Sequence, residues 1–198
     1  AVVVDPVTGK PTYLQAIPTA SVGPVLAFLR ERAIFACYYT EDMIFVEGRA
    51  PLERALVPPD FPNQPVVVDD LISLIHLPCL KLVAVAKPAI LSQLRPPAEA
   101  AFAQDLYVTQ TSSVLLEFLH PAVSKGAALR EAMAYLGLDP ARVIAFGDGH
   151  NDIGLLQAAG TGVAMANADQ EVRAIADLVA PANTEDGIAQ VLDRMLWD

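Results

Sequence analysis

The stretch Phe146-Gly147-Asp148-Gly149-His150-Asn151-Asp152 decides the fold. It continues an apolar run, Val143–Phe146, and leads into a helical stretch, Asp152–Ala159, closed by Gly160. A continuous apolar run of this length reads as a strand buried on both faces, and the two glycines permit a tight turn from strand into helix. Downstream, Gly162–Met165 reads as a strand, Asp169–Ala176 as a helix, Leu178–Val179 as a strand and Glu185–Leu196 as a final helix. Upstream, Lys125–Leu136 sets Ala128, Leu129, Ala132, Met133 and Leu136 on one helical stripe, with Gly137 placed to cap its end. Short apolar strands alternating with helices predict an α/β fold whose parallel sheet is covered on both faces.

The first part of the chain has another rhythm. Val2–Val4, Ile34–Tyr39 and Met43–Val46 have strand composition, with Thr40-Glu41-Asp42 a turn between the last two, and Pro24–Arg32 is predicted as a helix. Val57–Pro65 is a Pro-rich link. Asp69 and Asp70 stand where a carboxylate would cap a short helix at Leu71–Ile75, followed by a strand at Leu80–Ala86 and a helix at Pro88–Ala103 strained by Pro96-Pro97. Leu106–Gln110 and Val114–Leu119 read as paired strands joined by Thr111-Ser112-Ser113. These patterns predict a β-rich α/β unit over residues 1–119 and an α/β unit over 120–198, with the boundary near His120-Pro121.

Composition narrows the function classes. Of 198 residues 54% are hydrophobic and 18% charged, which excludes a disordered tail or a coiled coil. Thirteen basic residues against 23 acidic ones give a net charge of −10, which repels nucleic acid and anionic membranes. A small anionic substrate stays compatible with that field when a local cation or metal neutralises it. The band Leu71–Leu91 imitates a membrane span, but Pro78 interrupts it. Lys81 and Lys87 inside it would each cost about 2.5–3.5 kcal/mol in a membrane helix. A short helix and a buried strand are predicted there instead, in a cytoplasmic protein without a membrane partner. Cys37 and Cys79, far apart in apolar surroundings, leave one disulfide open but read rather as two buried thiols of a reduced protein.

The chemistry concentrates at the end of the strand that opened the reading. Open parallel sheets bind ligands at the carboxyl ends of their strands. Asp148 projects there, with Asn151 and Asp152 at the helix start. Two carboxylates and an amide so close together suit Mg²⁺, which takes one or two carboxylates, several waters and phosphate oxygens. The same residues also serve a plainer purpose: Asn151 or Asp152 as a helix cap, and the glycines as a turn. Ser124 is a fitting N-cap for the helix that starts at Lys125. A cation in that first turn opposes the helix dipole, at about a few tenths of a kcal/mol, unless an anion sits nearby. A solvated surface lysine is the alternative. His76 and His120 read as core or edge residues, His150 as part of a solvated loop, and Trp197 as a packing anchor.

The strings VSKGAAL (Val123–Leu129), GDGHNDIGLLQAAGTGVAMANA (Gly147–Ala168) and NTEDGIAQVL (Asn183–Leu192) resemble the haloacid dehalogenase superfamily, specifically its Cof-type branch with a large α/β cap. That resemblance implies a Rossmannoid core of which residues 120–198 form the C-terminal part, with residues 1–119 as an α+β cap. It further implies a Mg²⁺-dependent phosphoric monoester hydrolase acting on a small phosphorylated metabolite such as a sugar phosphate, with the cap choosing the substrate. Residue by residue, Lys125 matches the lysine that neutralises the transferring phosphoryl group and the attacking carboxylate. Asp148 matches the direct Mg²⁺ ligand, and Asn151 a phosphate-side contact. Asp152 matches the second acid, which acts near the metal through water or steadies Lys125.

One departure from the family is large. Its nucleophile lies in a DxDGT motif, followed by a Ser/Thr phosphate contact, and neither occurs in this sequence. The nearest string, Val2–Gly9, offers Asp5 but puts Val7 at the position of the general acid/base. It looks instead like the family's first cap strand and hairpin. The resemblance therefore implies a missing N-terminal segment carrying the strand beside Val143–Phe146. The chain alone is expected to be inactive, and that segment or a dimer partner would complete the sheet. Two further readings stand beside this one. The phosphorylation domain of a P-type ion pump shares GDGxND followed by GVAM, although its DKTGT motif does not occur. A non-catalytic interaction module would expose an unpaired edge at Val143–Phe146.

Overall fold

Elements follow in the order β1 (Val2–Val4), β2 (Pro11–Leu14), α1 (Thr19–Arg30), β3 (Phe35–Tyr39), β4 (Ile44–Glu47) and β5 (Val66–Val68). A 3₁₀ turn at Leu71–Leu74 leads to β6 (Lys81–Val85), α2 (Pro88–Phe102), β7 (Tyr107–Ser112) and β8 (Leu115–Leu119). Then come α3 (Lys125–Leu136), β9 (Ile144–Gly147), a 3₁₀ turn at His150–Asp152, α4 (Ile153–Ala158), β10 (Thr161–Met165), α5 (Gln170–Ala174), β11 (Leu178–Ala180) and α6 (Gly187–Trp197). The computed structural model describes residues 2–48 and 64–197, so most of the Pro-rich link lies outside the described residues.

Two units emerge, one built on Leu14–Val123 and one on Val3–Tyr13 together with the chain from Ser124 onward. The first holds a six-stranded sheet in the order β5-β4-β3-β6-β8-β7, antiparallel except for the β4–β5 pair. Its register places Tyr38, Leu82 and Phe118 side by side on one face, where α1 and α2 deliver Val25, Leu26, Leu29, Leu91 and Phe102. Cys37, Val46, Val83 and Val85 occupy the opposite face. Helix α1 begins at Thr19, earlier than the sequence pattern suggests, and carries Pro24 inside it. A proline there costs about 3 kcal/mol, but burying Val22, Val25, Leu26 and Leu29 returns about 1.5–3 kcal/mol each, so packing wins. The same balance holds Pro96 and Pro97 within α2. Strand β5, only three residues long, was not legible beside the Pro-rich link. Asp70 does cap the turn that follows, its Oδ1 accepting from the Ile72 N–H at 2.9 Å. The apolar band Leu71–Leu91 divides into that turn, β6 and the start of α2. No helix among the described residues is long and apolar enough to cross a membrane. Cys37 and Cys79 are both buried, as expected, and no disulfide joins them.

The second unit is a three-stranded parallel sheet, β11-β10-β9. Ala145, Ala164, Leu156 and Val172 form the core on one face, with Leu129 and Ile153 packed against them. Val163, Met165, Ala180 and Val191 form it on the other. Among the described residues β9 pairs only with β10, so its other edge carries no strand. Gly137 ends α3 at φ 65°, the left-handed cap expected of it. The observed division falls between Val123 and Ser124 rather than at 119/120, and it removes Val3–Tyr13 from the first unit. A bond between distant residues ties this hairpin to α3. The Asp5 carboxylate closes its own turn by accepting from the N–H groups of Val7 and Thr8, and also accepts from the Tyr135 hydroxyl on α3.

Candidate active site

The site is assembled in the second unit by glycines that let backbone and side chain approach. A Cβ on Gly147, the last residue of β9, would lie 2.5 Å from the Asp152 Cβ, so only glycine lets Asp152 fold back under the strand end. Asp152 is thereby buried, 4% exposed, and its Oδ2 accepts from the N–H groups of Asp148 at 3.1 Å and Gly149 at 3.0 Å. A second close approach brings in the cation. A Cβ on Gly126 would lie 2.1 Å from the carbonyl oxygen of Gly154, so α3 and α4 touch backbone to backbone. Lys125, the neighbour of Gly126, donates from Nζ to Asp152 Oδ1. Ser124 caps α3 as expected, its Oγ accepting from the Ala127 N–H at 3.0 Å.

The unfavourable placement of a lysine at a helix N-terminus is thus answered by a carboxylate. Burial pushes the Asp152 carboxyl up. The Lys125 hydrogen bond and the N–H groups of Gly149 and Asp148 pull it down harder, and it ends below the usual carboxylate value. Its partner stays accessible: the Lys125 side chain is 52% exposed against 6% for Asp152. The ammonium therefore keeps hydrogens free to meet an incoming anion.

Asp148 and Lys125 lie on either side of this one carboxylate. Asp148 is exposed; its Oδ2 accepts from Asn167 Nδ2 at 3.2 Å, and its Oδ1 has no partner among the described residues. Asn151 is exposed, and its side chain makes no hydrogen bond among the described residues. His150, also exposed, places Nε2 3.6 Å from carboxylate oxygens of both Asp169 and Glu171. His76 is exposed, its Nδ1 2.9 Å from the Ser73 carbonyl oxygen, and His120 Nδ1 accepts from the Ala122 N–H at 3.1 Å. The Trp197 side chain lies outside the described residues.

The donor set discriminates among metals. No group of three or more His, Cys, Asp or Glu side chains gathers among the described residues, so neither a zinc site nor a calcium cage is present there. Both Asp152 oxygens are engaged, so of the roles open to it the geometry supports that of partner to Lys125. Asp148 has one oxygen held and one available, which fits Mg²⁺ bound through a single carboxylate, waters and a phosphate. Asp5 does not reach this site. It is tied to Tyr135, about 15 Å along α3 from Lys125 at 1.5 Å per residue. One residue escaped the sequence reading. Asn167, inside the quoted GVAMANA string, received no role, yet the loops after adjacent parallel strands β9 and β10 must share one edge of the sheet.

Residues 1–192 match the haloacid dehalogenase-like hydrolases, and the chain belongs to that family. The fold is similar to the crystal structure of a Thermotoga maritima protein, with a TM-score of 0.86 at 24% identity, covering 100% of this chain and 74% of that one. Among curated relatives, the chain is 37% identical over 103 residues to the chloroplast endoribonuclease YBEY of Arabidopsis thaliana, covering 52% of this chain and 18% of that protein. It is 49% identical over 74 residues to a phosphoglycolate phosphatase of Methanopyrus kandleri, covering 37% of this chain and 32% of the relative. The chain thus spans less than a third of the length of either curated relative.

Proposed function

We propose that the second unit is the charge-neutralising and cation-holding part of a Mg²⁺-dependent phosphatase that cleaves phosphoric monoesters of small metabolites. The observation that carries this reading is the chain Lys125–Asp152–Asp148, in which one buried carboxylate accepts from an exposed ammonium and from the main-chain N–H of an exposed acid at the same strand end. Family membership and the phosphatase among its relatives support the reaction class. In this reading Lys125 meets the phosphoryl oxygens, Asn151 donates to the phosphate from its free amide, and Asp148 holds the cation through Oδ1. Asp152 fixes Lys125. Bound at Asp148, Mg²⁺ supplies positive charge against the phosphoryl oxygens, where phosphoryl transfer most needs it. The first unit acts as the cap that selects the substrate, and the two buried cysteines, joined by no disulfide, suit a reducing cytoplasm.

The attacking carboxylate is not supplied by this sequence, because the DxDGT string is absent and Asp5 is held by Tyr135. The 198-residue chain by itself is expected to release phosphate at background rates, since losing a nucleophile removes on the order of 10⁶ in turnover. The test is phosphate release from a panel of sugar, polyol and cofactor phosphates, with Mg²⁺ and with EDTA, by a form of the protein that carries a DxDGT segment. Metal-dependent turnover that falls by about 10²–10³ in Lys125→Ala is expected. Turnover insensitive to EDTA, or unchanged in Lys125→Ala, refutes the assignment.

A further inference from the structure

We infer that Asn167 is a positioning residue for the cation site, a device that sets which oxygen of Asp148 is free. This inference rests on the proposed function. The Asn167 side chain is used at both ends: Oδ1 accepts from the Asn183 main-chain N–H at 3.1 Å, and Nδ2 donates to Asp148 Oδ2 at 3.2 Å. The N–H of Asn183 can only donate, so it fixes the oxygen end of the amide and leaves the NH₂ end for the carboxylate. Three strand-end loops are joined in this way, those after β9, β10 and β11.

The loop carrying Asn167 is itself held rigidly. The Arg173 guanidinium donates from Nη1 to the carbonyl oxygens of Ala166 at 2.9 Å and Ala168 at 2.6 Å, gripping the backbone on both sides of Asn167. The Ala166 N–H donates to the Ala180 carbonyl at 2.9 Å, and that of Ala168 to the Met165 carbonyl at 2.9 Å. So much fixing is excessive for an exposed asparagine in a plain turn. Its effect is to give the Asp148 carboxylate one orientation, with Oδ2 held and Oδ1 open. Partners of this kind orient metal ligands, and their loss weakens metal affinity by about 10–100-fold.

The experiment is a titration of the protein with Mn²⁺ alone, reading the electron paramagnetic resonance signal of the unbound ion, beside metal-free melting curves. Asn167→Ala is expected to raise the Mn²⁺ dissociation constant about tenfold while melting close to wild type, because it removes only exposed hydrogen bonds. A second variant guards against a folding failure. Asn183→Pro deletes the N–H that orients Asn167, together with a side chain that makes no hydrogen bond among the described residues. It falls at the first position of the 3₁₀ turn Asn183–Glu185, after Ala182 at φ −60°, ψ 159°, where proline is accommodated. It is expected to weaken Mn²⁺ binding in the same direction. Unchanged affinity in both variants, with binding lost in Asp148→Asn, overturns the role of Asn167 and leaves the cation site standing. Wild-type affinity in Asp148→Asn overturns the site and the inference together.

Discussion

Lys125→Met tests the pairing at the centre of the site. The substitution keeps the length of the side chain and removes its charge, leaving Asp152 Oδ1 without its donor in a position where the Asp152 side chain is 6% exposed. Stranding one member of a fully buried ion pair costs about 3–5 kcal/mol. Lys125 is half exposed, so solvent already screens part of the attraction, and a loss of about 1–2 kcal/mol at pH 7 is expected. The pH dependence gives the test its direction. Native Asp152 titrates below an unfolded aspartate, so its stabilising contribution is complete above about pH 4 and is lost as pH falls through the native value. In Lys125→Met burial is opposed only by two peptide N–H groups. The carboxyl rises, and the deficit is therefore greatest at neutral pH. Urea unfolding of wild type and variant, followed by far-ultraviolet circular dichroism, reads the deficit. A midpoint lowered by roughly 0.5–1 M at pH 7, shrinking at pH 3, is expected for a slope near 2 kcal/mol per M. An equal deficit at both pH values, or none at pH 7, would refute the coupling.

Gly126→Ala forces a Cβ to 2.1 Å from the Gly154 carbonyl oxygen, against backbone that cannot rotate away. It is expected to separate α3 from α4 and lower the melting temperature far more than Ala substitutions at exposed α3 positions, as thermal denaturation would show. Burial pushes the Cys79 thiol up to about 12, leaving about 10⁻⁴ of it as thiolate at pH 8. Native protein should leave Cys79 unlabelled by a thiol reagent under conditions that label it fully in urea, with peptide mapping locating the label.

Legibility differed between the strand ends and the contacts that join them. The passage from β9 through Gly147 to Asp152 could be read because apolar run, glycines and acids are contiguous, and helix α3 because stripe, cap and Gly137 agree. A dipole argument implied an anion beside Lys125. It could not choose between Asp148 and Asp152, which requires knowing that Gly147 leaves room for the Asp152 side chain. The tie between the hairpin at Asp5 and α3 was not legible, because Tyr135 lies 130 residues away. Asn167 was missed for a related reason: its partners sit on neighbouring strands, and a linear pattern does not record strand order. Pro24 concealed the first turns of α1, since proline signals a break whenever the burial that outweighs it is invisible.

The division between the two acids also accounts for an expected dependence on divalent cation. Lys125, Asp148 and Asp152 together carry a formal charge of 1 − 2 = −1, within a chain of net charge −10. A phosphate dianion approaching that trio alone meets repulsion. A divalent ion at Asp148 changes the local sum to +1 and makes the same approach attractive. An Asp152 freed from Lys125 would compete with phosphate for the cation. Committing Asp152 to Lys125 prevents this, and it does so through Gly147 and Gly126, residues with no functional group of their own. On this argument the two glycines constrain the chemistry as tightly as the acids do. In the proposed reading, the dependence on a cation follows from counting charges at the strand end, whichever phosphate ester is the substrate.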